Sequence, residues 1–178
     1  MKLQGKKCRG GVRGGFTLVE VAIAVIVLLV GLMALSASAV RVQGLARAAR
    51  ERMAAQNALR AKAEEIRSIS RAGLADPLGW GVHVGNALSA IATFQVEGLT
   101  PAEGQTSVGK VQLVNDETAS DATLGVELGL PRDLDGDGLA NNAAVGASAR
   151  LLPVVLEVRW TSAWGEQHVK QGLWILGY

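Results

Sequence analysis

The chain is poor in the residues on which most protein chemistry rests. Its one cysteine is Cys8, so no intramolecular disulfide can form. Its two histidines, His83 and His168, have neither a cysteine nor a second histidine nearby, which speaks against a zinc site. No Gly-x-Ser-x-Gly turn is present to expose a nucleophilic serine, and no enzymatic activity is expected. His83 is read as a loop residue and His168 as a strand-edge residue. Aromatic residues make up only 4% of the chain, yet all four tryptophans fall after residue 79. Of four prolines none precedes Pro77, so nothing in the first 76 residues must break a helix.

Charge is also unevenly placed. From Phe16 to Val40 every side chain is apolar or small except Glu20, and 25 such residues make roughly 37 Å of helix, enough to cross a hydrocarbon core of about 30 Å. Before that run lie Lys2, Lys6, Lys7, Arg9 and Arg13 with no acid. Removing those five positive charges with Met1–Gly15 takes the formal charge from +2 to −3, so the basic balance of the whole chain is no argument for nucleic-acid binding. An ordinary signal peptide has its apolar run before the cleavage site; here no apolar stretch precedes Cys8 either, which argues against a lipoprotein cysteine. The leader cations face Arg41, Arg47, Arg50 and Arg52 beyond the other end, and charge alone leaves the orientation open.

An acid inside a membrane helix is costly and demands a partner. With Glu20 in view, the stretch Gly14-Gly15-Phe16-Thr17-Leu18-Val19-Glu20 after a basic leader resembles the N-terminus of type IV prepilins and type II secretion pseudopilins. The resemblance covers about the first 40 residues and, more loosely, the helix after them. It implies cleavage by a prepilin peptidase after Gly15, methylation of the new N-terminus at Phe16, and pairing of Glu20 with the Phe16 amine of a neighbouring subunit during assembly. It further implies partners among other pilins or pseudopilins and an inner-membrane assembly platform. The implied location is the inner membrane, single-pass, with the C-terminal domain outside the cytoplasm, and then a pilus or pseudopilus. Val25 to Leu35 is similar to the membrane helix of type IV pilus modification proteins, which implies a minor pilin that initiates, primes or tips the filament. A type II secretion pseudopilin is the nearest alternative, and a non-polymerising signal-anchored envelope binding domain is another. Neither nucleic acid nor a small-molecule substrate is expected. Family members often carry a proline where this chain has Ala37, although Gly31, Ser36 and Ser38 still lower helix propensity.

After Val40 the pattern turns amphipathic. Val42, Leu45, Ala49, Met53, Leu59, Ala63 and Ile66 recur mostly three and four apart with charges between them, predicting a continuous helix to about Ala72 with Gly73 as its stop. The expected organisation is a cleaved leader over 1–15, a transmembrane or filament-core helix over 16–40, its amphipathic continuation over 41–72, and one globular domain over 73–178. Asp76 to Gly85, rich in glycine, reads as a loop. Thr93–Glu97, Lys110–Val114, Leu124–Leu128, Val154–Trp160 and Val169–Leu176 read as strands, the last two joined by a turn at Ser162–Glu166. The fold expected is α+β and pilin-like, an antiparallel sheet of about four strands laid on the second half of the long helix, with variable loops between Val114 and Pro153.

Two surface features stand out from this frame. Trp80, Trp160 and Trp174 read as packing residues, whereas Trp164 at the turn is a candidate for contact with a partner. Asp133-Leu134-Asp135-Gly136-Asp137-Gly138 matches the opening of an EF-hand calcium loop, which would add the carbonyl of Leu139 and the side chain of Asn141. Ala144 stands where the bidentate glutamate belongs. Both readings stay open: a Ca2+ site completed by water or by Asp116, Glu117 or Glu127 reaching in, or an Asx-rich surface turn.

Overall fold

The computed structural model describes residues 17–177. Helix α1 runs Leu18–Gly73 and α2 Trp80–Ala90; strands β1 (Thr93–Phe94), β2 (Thr100–Pro101) and β3 (Gly109–Leu113) follow. Then come a short helix α3 (Asp121–Leu124), a 3-10 turn at Gly146–Ser148, and the long strands β4 (Leu151–Ser162) and β5 (Gly165–Leu176). The fold is α+β, a long helix packed against an antiparallel five-stranded sheet. By internal contacts the chain divides into two units, Met1–Gly44 and Leu45–Tyr178.

In the first unit the described residues form helix alone. Thr17 starts it: its hydroxyl accepts the Glu20 N–H at 3.3 Å, the N-cap bond that satisfies one of the orphan donors of a first turn. Every residue from Thr17 to Gln43 is exposed. Gly31 sits within the helix without ending it, because one glycine costs only about 1 kcal/mol against alanine.

In the second unit β4 is the centre of the sheet. One of its edges pairs with β5 over its whole length, Leu151↔Leu176 to Ser162↔Gly165. The other is shared, with β3 against Val154–Val158 and β2 against Trp160–Thr161, and β1 extends β3 outward. The face carrying Leu152, Val154, Leu156, Val158 and Trp160 joins Ala55, Leu59, Ala63 and Ile66 of α1 in one buried cluster. Two bonds pin helix to sheet: the Trp160 indole donates to Glu51 Oε2 at 3.3 Å, and the Ser70 hydroxyl donates to the Leu176 carbonyl at 3.3 Å. Glu51 to Ser70 is roughly 28 Å of helix and Leu151 to Trp160 roughly 30 Å of strand, so the two elements match end for end.

The buried helical stripe is Glu51, Ala55, Leu59, Ala63, Ile66, Ser70 and Gly73. Leu59, Ala63 and Ile66 are as expected, but Met53, Leu45 and Val42 are more than 60% exposed. The contact face begins at Glu51 because Trp160 meets the helix there, and Ala55 and Ala63 let the backbones approach.

Three stretches differ from the sequence reading. Asp76–Gly85 is a loop only as far as Gly79, because Trp80, Val84 and Leu88 are buried four residues apart on α2, and the Trp80 indole donates to the Ser70 carbonyl at 3.0 Å. His83 is therefore helical, its Nδ1 2.7 Å from Asp76 Oδ2. Leu124–Leu128 is not a strand: Asp121 turns the chain by accepting the N–H groups of Leu128, Gly129 and Leu130 at 2.9, 2.7 and 3.1 Å. The turned segment lies over the second face of the sheet, where a Cβ on Gly172 would stand 2.6 Å from Leu128 and 2.7 Å from Val126. That cover explains why β4 is buried without a break from Leu152 to Leu156, beyond the alternating part read from sequence. Thr93–Glu97 pairs only at Thr93–Phe94, and β2 went unread because it is two residues long and contains a proline.

Two glycines of α2 should respond oppositely to alanine. A Cβ on Gly81 would stand 2.2 Å from the Gly146 carbonyl oxygen, whereas Gly85 faces open space. In the unit Leu45–Tyr178, Gly81→Ala is expected to cost about 1–3 kcal/mol and Gly85→Ala to add about 0.5–1 kcal/mol, read by denaturant unfolding. Asp121 supplies a pH test. Burial pushes its carboxyl up, but the backbone donors of Gly129, Leu130 and Leu128 outweigh this and hold it below its ordinary value. A depressed carboxylate stabilises the fold above its ordinary range and loses that contribution as pH falls through the depressed value. Asp121→Ala should therefore lower Tm at neutral pH, and the gap to the parent should shrink on acidification; a constant gap would exclude this role.

Candidate functional site

Candidate functional side chains gather in three places. The first is the start of α1. Glu20 lies in its first turn, where a carboxylate meets the positive end of the helix dipole. Its side chain makes no hydrogen bond or ion pair among the described residues, and its surroundings are Val21, Ala24, Val25 and Leu28. The Gly15–Phe16 junction and Cys8 lie outside the described residues. One helix near the N-terminus, Leu18–Gly73, is long and apolar enough to span a membrane.

The second place is the aspartate-rich loop. Leu134 roots it, with a side chain only 1% exposed and a carbonyl accepting the N–H groups of Arg150 and Leu151 at 2.9 and 3.0 Å. Asp133 folds the loop back by accepting from Gly136 at 2.6 Å and Gly138 at 2.8 Å, and these bonds, the first foremost, hold its carboxyl below the ordinary range. Gly136 and Gly138 have φ of 84° and 90°, a region open to glycine.

Beneath this loop lies Glu117, whose residue is fully buried. Its Oε1 accepts from Leu134 N–H at 2.7 Å, and its Oε2 accepts from Asn142 at 2.9 Å and Asn141 at 3.1 Å. The Leu134 bond foremost keeps the carboxyl below its ordinary value despite burial. Carboxylate oxygens of Glu117, Asp133 and Asp135 lie within 4.8 Å of one another, a group that could hold a metal ion.

The other residues of the calcium motif are placed differently. Asp137 turns its Oδ1 to the Leu139 N–H at 2.7 Å and is not in the three-acid group; Leu139 is exposed, and Asn141 meets Glu117 through its backbone. Of the three acids considered as reaching in, Glu117 does. Its 16-residue separation from Asp133 in sequence carries no signal, since the backbone bonds from Asn141 and Asn142 are what bring the segments together.

The third place is the tip of the β4–β5 hairpin. Ala163 and Trp164 alone link Ser162 to its partner Gly165, whose φ of +96° is a region open to glycine. Trp164 at this tip is 60% exposed, whereas Trp80 and Trp160 are buried. Beside it sits Glu51, unremarked in sequence because an acid between arginines on a helix reads as a solvated charge. Burial raises its carboxyl, but the Ser162 hydroxyl, Arg47 and the Trp160 indole outweigh this and keep it below the ordinary range. His168 is exposed on β5 opposite Arg159.

The chain matches no protein-family model, no curated protein and no solved structure. What stands is a long apolar N-terminal helix and a small antiparallel sheet.

Proposed function

We propose that this chain is a minor pilin-like subunit of a type IV pilus, which helps to initiate, prime or tip the filament after processing by a prepilin peptidase. The observation that carries this reading is α1 itself. It is one helix of 56 residues that exposes an apolar surface for its first half, holds a lone carboxylate in its first turn, and buries a stripe of its second half against an antiparallel sheet. An apolar helix with one acid suits a subunit that waits in the inner membrane and then packs among other pilins at an assembly platform. In that state Glu20 would meet the Phe16 amine of a neighbour. The same features fit a pseudopilin of a type II secretion system as the nearest alternative. A signal-anchored envelope domain would not need Glu20.

Glu20 therefore tests the reading. Intact mass of the membrane form should lack Met1–Gly15 and carry a methyl group on Phe16. Glu20→Leu should leave insertion intact, because an intramembrane charge is removed. Its incorporation into sheared filaments should fall by on the order of tenfold, equivalent to about 1.4 kcal/mol of lost contact. Wild-type incorporation would refute the pairing.

The loop supports a separate, weak calcium site, favoured by the arrival of Glu117 beside Asp133 and Asp135. Without the bidentate glutamate of a full EF-hand loop its Kd belongs near about 10⁻⁴ to 10⁻³ M. Millimolar calcium should raise the Tm of Leu45–Tyr178 over that in chelator, and Asp135→Ala should abolish the rise. Superimposable curves would assign the loop to an Asx turn.

A further inference from the structure

A tryptophan at the tip of a hairpin is out of place in water. Tight turns favour glycine, asparagine and aspartate, and Trp164 leaves 60% of its surface exposed there. It does not stand alone. Trp164 and His168 of the hairpin share a cleft of about 540 Å³ with Leu45, Ala48, Ala49 and Arg52 of α1. Leu45 at its rim is 63% exposed, so an aliphatic and an aromatic side chain stand open at the edge of a cleft that Glu51, Ser162 and Gln167 also line.

The chain restricts what can cover it. Leu45 lies five residues beyond Val40, the last residue of the uninterrupted apolar run. Five residues rise about 7.5 Å as helix and reach at most about 18 Å along any backbone path. The headgroup layer beyond each side of the hydrocarbon core is roughly 5–8 Å deep. A chain anchored through its apolar run thus keeps the rim of this cleft within about 18 Å of the hydrocarbon boundary, within reach of the lipid headgroups.

The side chains suit that depth. Tryptophan is enriched at membrane interfaces, where its ring lies among the headgroups and its N–H stays hydrated. Arg41, Arg47, Arg50 and Arg52 supply four positive charges along the same stretch of helix. Two acids lie close by. Glu51 is already engaged by Arg47 at 3.0 Å and by Trp160, and Glu166 is exposed next to the turn. The balance is cationic, which matches an anionic lipid surface. Each basic residue near such a surface is worth roughly fivefold in partitioning.

We infer that the hairpin tip is a lipid-interface anchor: Trp164 and Leu45 enter the headgroup layer of an anionic membrane, held by Arg50 and Arg52, while the subunit is still membrane-bound. This rests on the membrane-anchored reading of α1.

The full chain, reconstituted into vesicles with and without phosphatidylglycerol, provides the test. Lipids brominated just below the headgroup should quench part of the tryptophan emission in anionic vesicles, and that part should vanish in Trp164→Phe. Quenching should drop toward the level of all-phosphatidylcholine vesicles in Arg50→Gln/Arg52→Gln and in high salt. Flotation separates the two layers of the argument. A chain that fails to float with vesicles overturns the anchored reading itself. A chain that floats, yet leaves Trp164 open to aqueous acrylamide and untouched by brominated lipid, overturns only the interfacial anchor. Protection from acrylamide without lipid quenching, growing with the protein-to-lipid ratio, also overturns it and assigns the tip to another copy of the chain.

Discussion

The seam between α1 and β4 is the contact on which the rest of the C-terminal unit depends. Ala55, Leu59, Ala63 and Ile66 are each no more than 2% exposed, and they meet a strand whose matching face is equally buried. Alanine at every second contact position lets the helix lie close, and each fully buried leucine or isoleucine contributes roughly 1.5–3 kcal/mol. At its ends the seam is closed by polar bonds instead, Glu51 to Trp160 and Ser70 to Leu176. Those bonds fix register, since sliding the helix by one turn would leave a carboxylate buried without its donor.

Everything else in the unit covers what the seam leaves open. Because β4 is central and hydrophobic on both faces, it needs a second layer, which the segment folded by Asp121 supplies over Gly172. The rim of α2 is set by Trp80, whose indole caps the Ser70 carbonyl and so ties α2 to the same helix residue that binds Leu176. Backbone donors do most of this work. Glu117, Asp121 and Asp133 each gather three N–H groups, so carboxylates serve here as hubs for irregular chain.

The two units treat their apolar surface differently. Up to Gln43 the helix keeps its apolar surface outward, which is tolerable only where lipid or another apolar surface surrounds it. From Glu51 on, the same helix carries its apolar stripe against its own sheet. The same helix thus carries an exposed apolar run first and, further on, a stripe that the protein itself buries.

Local pattern was sufficient for the long helix, for β3, for the inner parts of β4 and β5 and their pairing as a hairpin, and for the class of the fold, because those elements carry their period in consecutive residues. The pairing of Gly165–His168 with Arg159–Ser162, ahead of the expected strand Val169–Leu176, was not legible. Glu20 was legible for the same reason, as one charge in an apolar run. Pattern failed where long-range bonds decide. Asp76–Gly85 looks like a loop until Ser70 captures Trp80, and Leu124–Leu128 alternates like a strand until Asp121 takes its amides. Glu51 and Glu117 are ordinary acids in sequence. Only the tertiary structure made them buried, since their partners, Trp160 at one site and Leu134 with Asn142 at the other, lie 109, 17 and 25 residues away.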